Sequence, residues 1–141
     1  MIILDTNVIS EVMLPEPSLV VMDWLDARPT FDLATTAINI AELRFGLARL
    51  PAGRRRIDRE RLLGQILDRS FGNRILSFDR LAADAYGELV AGREHSGRPL
   101  VGPDGFIAAI AVSRGVAIAT RDVRGFEGCG VEIINPWATP K

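Results

Sequence analysis

A chain of 141 residues, 48% hydrophobic and 25% charged, has the composition of one ordinary globular domain, 1–141, long enough to bury a core without a disulfide or metal staple. Its formal net charge of −1 excludes a uniformly basic surface that would hold nucleic acid by counterion release alone. Cys129 is the single cysteine, which excludes a disulfide framework and a CxxC pair and suits a reducing cytoplasm, and no apolar run reaches the ~18 residues that cross a bilayer.

Met1 leads directly into Ile2, Ile3 and Leu4, an apolar run without polar alternation, as expected of a strand covered on both faces. Asp5, Thr6 and Asn7 then supply polar turn residues that end it. Pro15-Glu16-Pro17 breaks the chain, and residues 18–27 read as a helix with Val20, Val21, Trp24 and Leu25 among its apolar positions. Residues 31–36 make a second strand. Residues 38–50 carry Ile40, Leu43, Leu47 and Leu50 at helical spacing and stop before Pro51 and Gly53. A helix follows from about Arg54 to Ser70, with Gly72-Asn73 after it, and residues 74–78 form the third strand. Asp79 is placed to cap a helix from Arg80 to about Glu94. Beyond the loop at Ser96-Gly97-Arg98-Pro99, Pro103-Asp104 opens another helix, residues 116–120 are the fourth strand, 121–128 a loop and 131–134 a short last strand. The arginines at 54, 55, 56, 59 and 61 alternate with Asp58 and Glu60, the pattern of a solvated helix face.

Apolar strands alternating with helices predict an α/β fold whose mainly parallel sheet is covered on both faces, and in such sheets ligands bind beyond the carboxyl ends of the strands. Asp5 ends the first strand, Asp122 lies just past the fourth, Glu42 sits in the helix after the second, and Asp104 begins the helix that returns to the sheet. Each has a plainer explanation: Asp5 and Asp104 as helix caps, Asp122 as a turn residue, Glu42 as a solvent-facing charge. Asp79 and Asp84 are assigned to those plainer roles, a cap and a helix-surface charge. If the other four converge, two charges ~4 Å apart repel by about 4 kcal/mol at an effective dielectric near 20, so some take up protons or a divalent cation binds. Oxygen ligands without histidine or cysteine favour Mg²⁺ or Mn²⁺ over zinc, and such ions promote phosphodiester hydrolysis.

Four stretches in order, Ile-Leu-Asp-Thr-Asn-Val-Ile-Ser-Glu at 3–11, Ala-Glu-Leu-Arg-Phe-Gly at 41–46, Asp-Gly-Phe-Ile-Ala-Ala-Ile-Ala at 104–111 and Ala-Thr-Arg-Asp at 119–122, resemble a PIN domain, and more narrowly the VapC/FitB-like toxins of bacterial type II toxin–antitoxin systems. The resemblance covers essentially the whole chain. It implies a three-layer αβα fold and a metal-dependent endoribonuclease, dimeric and held inactive by a cognate antitoxin, with Asp5, Glu42, Asp104 and Asp122 as the carboxylate site. Asp5 and Asp104 are the expected direct metal ligands; Glu42 and Asp122 bind a second ion or orient water on the first. Thr6, Asn7 and Thr120 look like the hydroxyl and amide groups that hold those carboxylates, with turn or strand-end chemistry as the alternative. Arg44 and Arg121 flank site residues but are assigned to the surface. Gly105 departs from relatives with a larger residue after the aspartate, and glycine there is expected to loosen the helix start.

Other phosphate chemistries lack their residues. Asn7 stands where a haloacid-dehalogenase-like phosphatase has a second aspartate, the sole lysine is Lys141, and neither GxxxxGK[ST] nor GxGxxG occurs in a nucleotide-binding position. His95 is the lone histidine, in a polar segment that reads as surface. The expected activity is therefore Mg²⁺- or Mn²⁺-dependent cleavage of RNA; the alternative is a silent PIN-like protein that binds RNA or antitoxin, which the presence of all four carboxylates disfavours. Ile38, Phe45, Phe126 and Trp137 are the apolar candidates for a homodimer or antitoxin surface, unless loops bury them.

Overall fold

The computed structural model describes residues 1–138. Its strands are β1 (Ile2–Leu4), β2 (Leu33–Thr36), β3 (Ile75–Leu76), β4 (Ala117–Ala119) and β5 (Ile133–Ile134). They form one sheet in the order β3-β2-β1-β4-β5, with every neighbouring pair parallel. The connections run through α1 (Thr6–Val12), α2 (Leu19–Asp26), α3 (Ala37–Ala48), α4 (Arg54–Ile66), α5 (Arg80–His95), α6 (Asp104–Arg114) and the single turn α7 (Val123–Phe126).

Side-chain alternation along the short strands builds the layers. Ile3, Ala34 and Ile118 enter one core, where they meet Ala82 of α5, Ile107, Ala108, Ile110 and Ala111 of α6, and Phe126. Leu4, Leu33 and Ala119 face the opposite way, against Val8 and Ile9 of α1, Val21 of α2, Leu43 and Leu47 of α3, Leu63 of α4, and Phe71. Both faces of β1 are thus apolar, as its uninterrupted Ile-Ile-Leu run requires, and the sheet lies between two helical layers. Among the described residues no helix is long and apolar enough to cross a membrane.

The expected strands and long helices are present, with several boundaries and two small elements changed. Asp5-Thr6-Asn7 is not a turn: Asp5 is the N-cap of α1, accepting the Thr6 backbone N–H at 2.8 Å, and Val8 and Ile9 bury the helix against the sheet. Residues 30–32 form a 3-10 turn, so the second strand begins only at Leu33. The helix from Arg54 widens into a π turn over Leu67–Phe71, which closes with Gly72 N–H donating to the Leu67 carbonyl at 2.9 Å. The stretch 121–128, expected as loop, contains α7.

Two packing details bear on the expectations. Phe126 is fully buried and offers no surface. Gly105 is buried within α6, where a Cβ would stand 3.2 Å from Tyr86 Cε2 and 3.3 Å from Val90 Cγ2, so the glycine lets α5 and α6 approach closely. Tyr86 also stacks on Phe106, the next residue, with ring centroids 4.9 Å apart. Arg93, on α5 and 6% exposed, reaches across to α7 and donates to the carbonyls of Arg98 at 2.6 Å, Gly125 at 3.0 Å and Glu127.

Candidate carboxylate site

The carboxyl ends of β1, β2 and β4 lie side by side, and each strand delivers a buried polar residue there: Asp5 after β1, Thr36 at the end of β2 and Thr120 after β4. Asp5 is 5% exposed and fully engaged. Its Oδ1 accepts from the Thr6 N–H at 2.8 Å and from Asn39 Nδ2 at 3.0 Å, and its Oδ2 accepts from the Thr120 hydroxyl at 2.7 Å. Three donors on its two oxygens hold both side-chain torsions of Asp5, which fixes where the carboxylate points.

The network continues outward from Asp5. Thr6 Oγ1 donates to Glu42 Oε1 at 2.8 Å, tying the second turn of α3 to the start of α1. Asn7 Nδ2 donates to Thr120 Oγ1 at 3.1 Å, while Asn7 Oδ1 accepts the Arg121 N–H at 3.1 Å. Thr120 Oγ1 also accepts the Asp122 N–H at 3.1 Å. Of the three support residues expected from the sequence, Thr6 and Thr120 contact site carboxylates directly, and Asn7 holds Thr120 and the Arg121 backbone next to Asp122.

Asn39 is the member that sequence reasoning missed. It is fully buried; its amide donates to Asp5 Oδ1 and to Thr6 Oγ1, both at 3.0 Å, and its own oxygen accepts the Thr36 hydroxyl at 2.6 Å. Thr36 in turn caps α3 through the Asn39 N–H at 3.1 Å. A signal was present: Thr36, Asn39 and Glu42 recur every three residues and so share one helix face.

The four carboxylates do converge. Asp5, Glu42, Asp104 and Asp122 line one open cleft of about 460 Å³, with Thr6, Asn7, Ser10, Glu11 and Arg121 around them. Asp104 is not a cap, since Pro103 occupies that position without a side-chain bond, and among the described residues no protein donor reaches its carboxylate. Burial first, and then the charges of Asp5, Glu42 and Asp122, push it up from 3.8 to about 7. Asp122 does act as a turn residue as well, accepting the Gly125 N–H at 3.2 Å. The excluded acids behave as assigned: Asp79 caps α5 through the Ala82 N–H at 3.1 Å, and Asp84 forms an exposed pair with Arg80 at 3.8 Å.

Arg121 lines the cleft rather than standing apart from it, and its guanidinium lies 4.9 Å over the Trp137 ring, with no acidic partner among the described residues. Arg44 and His95 are exposed and contribute nothing to the cleft. Among the described residues, no three acidic, histidine or cysteine side chains form a finished metal cage. The donor set nevertheless fits a hard cation: it is all oxygen, one carboxylate has no protein partner, and an open cleft suits an ion such as Mg²⁺ that retains several of its waters.

The PIN domain family model matches residues 2–128. The chain is 49% identical to the VapC ribonuclease Y4jK of Sinorhizobium fredii, across 97% of this chain and 98% of that protein. It is 41% identical to toxin FitB of Neisseria gonorrhoeae, across 97% and 99%. The crystal structure of FitAcB from Neisseria gonorrhoeae superposes with a TM-score of 0.85 at 38% identity, covering 99% of this chain and 100% of that one.

Proposed function

Because the chain belongs to the PIN-domain family, among VapC- and FitB-like toxins, we propose that it is a Mg²⁺- or Mn²⁺-dependent endoribonuclease and the toxin of a type II toxin–antitoxin pair. The observation that carries the reading is the convergence of Asp5, Glu42, Asp104 and Asp122 on one cleft whose lining, among the described residues, contains no histidine or lysine. A divalent ion held there would polarise a phosphoryl oxygen and make water a nucleophile near neutral pH. Asp5 and Asp104 are its proposed ligands, Asp5 fixed in place by three donors and Asp104 free of them. Glu42, oriented by the Thr6 hydroxyl, and Asp122 face the same cleft and hold a second ion or accept the proton of the attacking water. Arg121 lines the mouth of the cleft and is placed to meet a phosphate. The products carry 5′-phosphate and 3′-hydroxyl ends, and the protein works in the cytoplasm, where RNA and a cognate antitoxin are found.

Incubation with RNA is expected to give cleavage with Mg²⁺ or Mn²⁺, none with EDTA, and recovery on adding Mn²⁺ back. Cleavage that continues in EDTA, or equal rates for the wild type and Asp5→Asn, would sink the assignment.

The same reading places a second copy of the chain beside the cleft. Phe45 is 64% exposed, and with Ile38, Ala41, Pro103 and Phe106 it borders an apolar groove that also reaches Glu42. Light scattering is expected to give twice the 15.4 kDa chain mass, and Phe45→Glu to return it to one. A strict monomer at micromolar concentration removes the dimer from the proposal.

A further inference from the structure

We propose that Gly125 is a positioning residue for the Asp122 carboxylate, an inference that rests on the nuclease reading for its functional consequence but not for its geometry. Asp122 differs from the other three acids in being exposed and in having its side chain held by one turn of helix. Its Oδ1 accepts the Gly125 N–H at 3.2 Å, so the carboxylate lies folded back over α7.

That conformation needs position 125 to lack a side chain. A Cβ built on Gly125 would stand 2.9 Å from Asp122 Cγ and closer still to Oδ2, distances that real Cβ atoms do not keep. The backbone itself does not call for glycine, because Gly125 is absent from the positive-φ residues and sits inside a helical turn. Alanine would favour that turn by about 1 kcal/mol. Space for the carboxylate is therefore what the glycine provides.

The turn is also anchored from behind. Arg93 donates to the Gly125 carbonyl at 3.0 Å and to that of Glu127, so the strip of backbone presenting the Gly125 N–H is gripped by a buried guanidinium. With the backbone gripped and the carboxylate exposed, a methyl group at 125 displaces the carboxylate. Asp122 then leaves its place beside Asp5, Glu42 and Asp104.

The test compares wild type, Gly125→Ala, Asp122→Ala and the double variant, using Mn²⁺ affinity by calorimetry, RNA cleavage in Mn²⁺ and the metal-free melting temperature. Gly125→Ala is expected to weaken Mn²⁺ binding and slow cleavage, each by at least about tenfold, the low end of the range seen when groups that orient a metal ligand are removed. The double variant is expected to be no worse than Asp122→Ala, because Gly125 acts through that carboxylate. Wild-type affinity and rate in Gly125→Ala overturn the proposal, as do independent losses that add in the double variant. Should Gly125→Ala melt well below wild type, the Asp122→Ala background decides: a glycine-to-alanine change that costs nothing there upholds the contact, and one that still destabilises overturns it. A wild type that binds Mn²⁺ and cleaves no RNA defeats the nuclease reading alone, and the Mn²⁺ comparison then judges the positioning role.

Discussion

Asp104→Asn is expected to slow RNA cleavage by at least about a hundredfold and, in metal-free protein at pH 8, to raise the melting temperature. The substitution removes charge and little else, since Asp104 caps nothing and no protein donor reaches its carboxylate among the described residues. Loss of one preorganised group that stabilises a transition state costs on the order of 10²–10³ in rate, and Asp104 would act in that way through the divalent ion it is proposed to hold. Stability moves the other way. The carboxyl titrates near 7 in the fold against 3.8 as its ordinary value, because burial and then Asp5, Glu42 and Asp122 oppose its charge. The folded protein therefore holds a proton that the unfolded chain has released, so this contribution is whole below pH 3.8 and is lost as pH rises through about 7. Solvent screening of a half-exposed group leaves on the order of 1 kcal/mol, or roughly 3 °C for a chain of this size. Melts in EDTA at pH 4 and pH 8 should show the gain only at pH 8. An equal gain at both would mean that the carboxylates do not repel, and undiminished cleavage would remove Asp104 from the site.

The same four acids explain why so much of the site was legible. Three lie beside an apolar run that announces its own element, Asp5 after Ile-Ile-Leu, Asp104 before Phe-Ile-Ala-Ala-Ile and Asp122 after Ala-Ile-Ala-Thr, and Glu42 lies within the helix that follows the second strand. In a parallel sheet those junctions gather at one edge, so naming the elements already groups the acids. What escaped reading lies where local pattern and tertiary role diverge. The helix α1 begins with three polar residues that resemble a turn, and only contact with the sheet shows that Val8 and Ile9 make a helix face. The turn α7 has four residues, too few to display a period. Phe126 occupies that turn yet fills the core, because α6 and β5 close over it. Asn39 interrupts an amphipathic helix, where a polar residue ordinarily marks the solvent side; here that side faces Asp5. Arg93 is hidden for the same reason: its partners are backbone carbonyls, and no acidic residue at helical spacing betrays them.

Asn39→Asp, which preserves shape, is expected to cost the fold far more stability at high pH than at low. The asparagine is fully buried, and its amide is the donor that lies between Asp5 Oδ1 and Thr6 Oγ1, 3.0 Å from each. A carboxylate there turns the donor into an acceptor and sets two negative oxygens at that separation, a repulsion of about 5 kcal/mol at an effective dielectric near 20. Protonation of the new group relieves part of it, so its pKa rises in the fold and the stability it leaves is present at low pH and lost as pH increases. Melting temperatures in EDTA are expected to fall by roughly 10 °C at pH 8, corresponding to about 3 kcal/mol, and by clearly less at pH 5. Asn39→Leu supplies the contrast: it strands the Thr36 hydroxyl and a donor-starved Asp5, at a cost of about 1–3 kcal/mol per unsatisfied group. A drop in the Asp variant that is the same at both pH values would assign Asn39 to packing rather than to holding Asp5. Placed beside Asp104→Asn, the pair asks one question from two sides. A fold that gathers four carboxylates at one cleft is strained by its own charge when metal-free, so removing one negative group relaxes it and adding one a few ångströms away weakens it.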